Sequence, residues 1–126
     1  MEASTDNIII IKNDGSPTKP MNQQQAENYL GNLIEKNRIA NLKQSLNDVT
    51  GGKGKATGNY KFNGNNVLHA SAGVIGVTSV SLFYYDNNGN HYIIAMGEHI
   101  SSKQYKLSDY GQPDGPFKKN STIDLT

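Results

Sequence analysis

The sequence predicts an α+β fold in which N-terminal helices pack on a twisted antiparallel β-sheet of three to five strands. Two observations carry this prediction. Apolar residues recur at spacings of three and four between residues 20 and 50, whereas residues 58–112 hold short β-rich runs separated by turn residues. Helices followed by strands are typical of α+β layers, so we expect the helices to cover one sheet face and leave the other free.

Length and composition agree with one modest core. A chain of 126 residues predicts a single domain over 1–126, with an N-terminal arm at 1–19, helices at 20–50, the sheet at 58–112 and an irregular tail at 113–126. The net charge is only +1, so the chain as a whole is not a polycation. The absence of cysteine excludes disulfides and thiol chemistry. No apolar run approaches the roughly 20 residues that span a bilayer.

The N-terminal half contains start and stop signals for helices. The run "NIIIIKND" predicts a short strand or an anchoring segment, because four β-branched residues stand together. Pro17 and Pro20, with hydroxyl side chains beside them, then indicate the start of a helix. One long helix or two consecutive helices follow, and Gly51 and Gly52 end them.

The C-terminal half changes to the period-2 pattern of strands. Two β-rich runs flank the turn "DNNGN" at residues 86–90, which predicts a β-hairpin. The stretches "NVLHASA" and "KQYKLSDYG" predict further strands of the same sheet.

Polar side chains follow the second hairpin strand, in the stretch "GEHISSKQYK" at residues 97–106. His69 ends another apolar run and precedes small residues that leave space for a ligand. Glu98 and His99 are adjacent, and successive strand residues face opposite sides, so only one of them reaches the side of His69 unless a bulge intervenes. The sequence leaves open which of the two does so.

These residues suit metal-independent cleavage of RNA. His69 with Glu98 or His99 supplies a general acid and a general base, and Lys103 stabilises negative charge on the phosphate. The ribose 2′-hydroxyl attacks the neighbouring phosphate, so neither a metal nor a cofactor is required. Five further residues are predicted to bind the substrate through cationic or hydroxyl groups: Lys53, Lys55, Ser71, Ser101 and Tyr105.

Other functions compete with this interpretation. The loop "GGKGKATG" can hold a phosphodiester through its lysines and backbone N–H groups, but it lacks the strand and helix context of a nucleotide-binding P-loop. A zinc site is another alternative, although the spacing of its ligands along the chain matches no compact zinc motif. The ligands would be His69, His91, Glu98 and His99. A non-catalytic binding module, such as an immunity or adaptor protein, is the main alternative, since seven tyrosines could supply an interface.

Helices followed by a twisted antiparallel sheet, with "VLHASAG" and "GEHISSKQY", resemble the barnase/EndoU/colicin/RelE superfamily of ribonuclease toxins. The chain is similar in particular to the C-terminal toxin domains of contact-dependent growth inhibition proteins and other polymorphic bacterial toxins, over about residues 20–112. The resemblance implies an endonuclease of tRNA or other RNA, delivered within a larger secreted or cell-surface toxin and acting in the cytoplasm of a target cell. It also implies a cognate immunity protein. A host activator protein or a shallow, local binding site would compensate for the near-neutral charge.

Overall fold

Two helices form one layer of the protein. A computed structural model of the chain describes residues 6–125, so residues 1–5 of the predicted arm and residue 126 of the tail lie outside the described residues. Helix α1 spans Gln23–Gly31, and a short 3-10 helix at Lys36–Arg38 leads into α2 at Ile39–Thr50. The first helix begins later than the prolines suggest, because Asn22 and Gln25 form a reciprocal capping box.

The other layer is one sheet of seven strands, so the predicted number of three to five is wrong. The strands are β1 (Ile8–Ile10), β2 (Lys55–Phe62), β3 (Asn65–Ala72), β4 (Val80–Asn87), β5 (Asn90–Ser101), β6 (Gln104–Tyr110) and β7 (Thr122–Asp124). They run in the order β2-β3-β4-β5-β6-β7, with antiparallel neighbours, and β1 pairs in parallel with the beginning of β5. β1 and β7 are too short to show a period-2 pattern, and β7 lies in the segment expected to be irregular.

The predicted hairpin joins β4 to β5. Asn87 pairs with Asn90 across a two-residue turn, and the central residues Asn88 and Gly89 have φ of 53° and 81°. Tight hairpin turns of this kind require positive φ at both positions, which Asn and Gly tolerate best.

Both faces of the sheet are buried, so the expectation that one face stays free is also wrong. The helices cover the first face, where Leu42, Leu46 and Val49 of α2 join one core cluster. On the opposite face the sheet curls, and Phe83 and Phe117 belong to a second buried cluster. The four isoleucines at residues 8–11 alternate between the two clusters, which explains why all of them are apolar.

A buried arginine ties the two layers together. Arg38 is 3% exposed and forms two bonds with the carboxylate of Asp109, at 3.0 and 2.7 Å. Its guanidinium also donates to the backbone oxygens of Ser79, at 3.1 Å, and Gly97, at 3.5 Å. The segment before α2 is thereby joined to β5, to β6 and to the residue that precedes β4.

We expect Arg38→Met to lower the free energy of unfolding by about 3–5 kcal/mol, because it leaves Asp109 and two carbonyl groups buried without their partner. Urea unfolding measures the change. Lys36→Met is the matched control, since Lys36 is exposed in the same 3-10 helix, and its effect should stay within about 0.5 kcal/mol. An Arg38→Met protein as stable as this control would contradict the structural role of the ion pair.

Candidate active site

A cavity of about 360 Å³ opens where the end of β3 meets the first residues of β2 and the last residues of β5. Six of the nine residues that the sequence predicts for the site line this cavity: Lys53, Lys55, His69, Ser71, His99 and Tyr105. The other three, Glu98, Ser101 and Lys103, do not line it.

His69 lies on the inner, curled face of β3, directly opposite Lys55 of β2. Its Nδ1 is 3.0 Å from the Thr57 hydroxyl, and its Nε2 is 3.2 Å from the Tyr105 hydroxyl. Both ring nitrogens therefore have a partner, and the two hydrogen bonds fix the plane of the imidazole.

Burial, together with smaller electrostatic effects of His99 and Lys55, lowers the pKa of His69 to about 4. The imidazole of His69 is consequently uncharged at neutral pH. In this form one ring nitrogen donates a hydrogen bond and the other accepts one. A neutral imidazole inside a cavity is a proton acceptor at any pH well above 4.

His99 faces the same cavity from the end of β5. Its ring stacks on the ring of Tyr105, with centroids 4.1 Å apart and an interplanar angle of 15°. The Ser79 hydroxyl accepts a hydrogen bond from the His99 backbone N–H at 2.8 Å. The Nε2 atom of His99 is buried and has no hydrogen-bond partner among the described residues.

The structure decides between Glu98 and His99 in favour of His99. The register between β5 and β6 shifts between Met96 and Glu98, and after the shift Glu98 pairs with Lys106 while His99 pairs with Tyr105. Glu98 therefore faces the side of Arg38. Burial opposes the charged form of that guanidinium, but the hydrogen bond and charge of Asp109 and, to a smaller extent, the negative charge of Glu98 raise its pKa. Of the two residues between which the sequence leaves the choice open, His99 and not Glu98 therefore lines the cavity with His69.

Gly97 makes the shift possible. A Cβ atom at this position would collide with the backbone oxygen of Lys106 and lie 2.7 Å from the Cα of Leu107. No other residue type fits so close to the neighbouring strand without displacing it.

Ser101, the last residue of β5, and Lys103, in the turn between β5 and β6, do not line the cavity. The Ser101 hydroxyl donates to the side chain of Gln104 at 3.3 Å, and Lys103 is exposed. Both were predicted because they follow His99 closely in the sequence. Both residues come after the part of β5 that lines the cavity.

Two polar residues of the site, Thr57 and Asp48, were not predicted from the sequence. Thr57 is fully buried and bonds to His69, and alternation along β2 could have placed it on the face of Lys55. Asp48 lines the cavity from the end of α2. No local signal marks Asp48, because its position depends on how the helix docks on the sheet.

The four candidate zinc ligands are not brought together. His91 lies at the hairpin turn, where its Nδ1 is 2.6 Å from a carboxylate oxygen of Asp86, and Glu98 lies on the other sheet face from His69 and His99. Within residues 6–125 no group of three or more His, Cys, Asp or Glu side chains could hold a metal ion.

Comparison with known protein families, curated proteins and solved structures gave no match. The resemblance to ribonuclease toxins therefore stays a prediction that rests on the residues themselves. In the described part of the chain, no helix has the length and apolar character needed to cross a membrane.

The low pKa of His69 predicts a pH-dependent stability. The unfolded chain binds a proton at His69 near the ordinary pKa of 6.5, whereas the folded protein binds it only near 4. Stability present above pH 6.5 is therefore lost as the pH falls towards 4, and at about 1.4 kcal/mol per pH unit the loss is roughly 3 kcal/mol.

Urea unfolding near pH 7 and near pH 4.5 tests this expectation. The wild type should lose about 2–3 kcal/mol more than His69→Gln over this interval. His91→Gln, a histidine variant outside the cavity, should lose as much as the wild type. Equal losses in the wild type and in His69→Gln would contradict the burial of a neutral His69.

Proposed function

We propose that the protein is a metal-independent endoribonuclease that cleaves RNA, with tRNA as the expected substrate. The observation that carries the proposal is the pair of imidazoles around Tyr105: His69 bonds to its hydroxyl, and His99 stacks on its ring, in one cavity that two lysines also line. Two imidazoles in different environments supply the base and the acid that this reaction needs.

His69 is the base in this mechanism, because it is already neutral. Its Nε2 is bonded to Tyr105, so the proton of the 2′-hydroxyl passes to His69 through the Tyr105 hydroxyl. The 2′-oxygen then attacks the adjacent phosphorus, and the bond from phosphorus to the 5′-oxygen breaks. His99 gives its proton to the leaving 5′-oxygen. The products are a 2′,3′-cyclic phosphate and a 5′-hydroxyl.

Lys55 and Lys53 stabilise the negative charge that builds up on the phosphate. Lys55 stands directly opposite His69, which places its ammonium group on the side where the base acts. Asp48 is the one carboxylate among the described lining residues, and it limits the attraction of the cavity for phosphates. The implied immunity protein, activator and delivery into a target cell belong to the same proposal.

A gel assay with total bacterial RNA tests the proposal. We expect the wild type to give discrete fragments in the presence of EDTA. His69→Gln and His99→Gln should each cleave about 100-fold more slowly or worse, since general acid or base catalysis contributes roughly 10²–10⁴-fold.

Two matched controls keep the assay specific. His91→Gln removes the histidine that lies outside the cavity, and Lys103→Gln removes a predicted lysine that the fold places outside it. Both should cleave at the wild-type rate. Full activity of His99→Gln, or loss of wild-type cleavage in EDTA, would contradict the proposed mechanism.

A non-catalytic binding module is the second candidate, and one observation favours it. The loop between β3 and β4 exposes three aliphatic side chains, with Val74 at 61%, Ile75 at 47% and Val77 at 67% exposure. Exposed apolar clusters of this kind mark interaction surfaces. RNA that stays intact with the wild type, even after addition of a cell extract, would favour this candidate over the nuclease.

A further inference from the structure

A second cavity, of about 410 Å³, lies on the helical side of the sheet between α1 and the ends of β1 and β6. It shares no lining residue with the candidate active site. Tyr29 and Leu33 line it while remaining 39% and 45% exposed, so the cavity has an apolar wall that is only partly covered. Its volume falls in the range of pockets that hold small molecules.

One polar group of this cavity lacks a partner. Tyr110 lines the cavity and is 7% exposed, and its buried hydroxyl makes no hydrogen bond with the described residues. Burial raises the pKa of Tyr110 well above its ordinary value, so the hydroxyl keeps its proton. Buried polar groups are normally paired, and a ligand acceptor would satisfy this donor.

The charges of the cavity favour an anion. Lys12 and Lys119 line it, and neither forms an ion pair with a described carboxylate. The carboxylate that lines it belongs to Asp109, which is already held by Arg38 at 2.7 Å. Asp14, outside the lining, interacts electrostatically with Lys12 but forms no ion pair with it. The described lining therefore holds two cations and a hydroxyl donor beside an apolar wall, and its carboxylate, Asp109, is paired with Arg38.

We propose that this cavity binds a small molecule with a flat apolar body and a carboxylate. The apolar body would pack against Tyr29 and Leu33, while the carboxylate accepts a hydrogen bond from Tyr110 and faces Lys12 and Lys119. The proposal concerns binding alone and is independent of the ribonuclease activity.

Naphthalene-2-carboxylate is a suitable probe, and ¹H–¹⁵N NMR titration of the full chain locates its site. Shifts should concentrate on the backbone around Tyr29, Leu33 and Tyr110. We expect the uncharged analogue naphthalene-2-carboxamide to bind about tenfold more weakly, because it cannot use the two lysines. Tyr110→Phe should also weaken binding of the carboxylate about tenfold, and its spectrum shows whether the variant is folded.

Paired lysine variants separate the two cavities. Lys12→Met with Lys119→Met should weaken binding of the carboxylate about tenfold, whereas Lys53→Met with Lys55→Met should leave it unchanged. Equal affinity for carboxylate and carboxamide, shifts confined to the His69 cavity, or no saturable shifts at millimolar probe would each overturn the proposal. If the carboxylate does not bind in this cavity, RNA cleavage and its dependence on His69 and His99 should be unchanged.

Discussion

The ion pair between Arg38 and Asp109 joins parts of the chain that are far apart in sequence. A guanidinium group carries five N–H donors and no acceptor, so it can be buried only where carboxylate and carbonyl oxygens surround it. Asp109 of β6 supplies the carboxylate, and Ser79 and Gly97 supply carbonyl groups. One side chain thus helps to fix three features: how the helices dock on the sheet, where β4 begins and how the irregular part of β5 is placed.

This arrangement extends to the candidate active site. Arg38 bonds to the backbone oxygen of Ser79, and the Ser79 hydroxyl contacts both the N–H and the oxygen of His99. The register shift at Gly97 turns His99 towards His69 and Glu98 towards Arg38. The identity of the second titratable group in the cavity is therefore a consequence of packing on the opposite face of the sheet.

Local signals explain which features could be predicted. The helical spacing and the Asn88-Gly89 turn each depend on a few neighbouring residues, and both predicted elements are present. Features that depend on distant contacts could not be predicted: the pairing of β1 and β7 and the burial of the second sheet face were missed, and the choice between Glu98 and His99 was left open. Lys103 was grouped with His99 because the two are close in sequence, whereas Thr57 meets His69 only through strand pairing.

The most direct test of the proposed chemistry is to identify the ends of the fragments that the protein produces from a defined RNA in EDTA. Attack by the 2′-hydroxyl predicts a 2′,3′-cyclic phosphate on one fragment and a 5′-hydroxyl on the other. It also predicts that a single 2′-deoxy substitution at the cleaved position abolishes the reaction. Fragments that end in a 3′-hydroxyl and a 5′-phosphate, or cleavage of the deoxy-substituted strand, would contradict the roles given to His69 and His99.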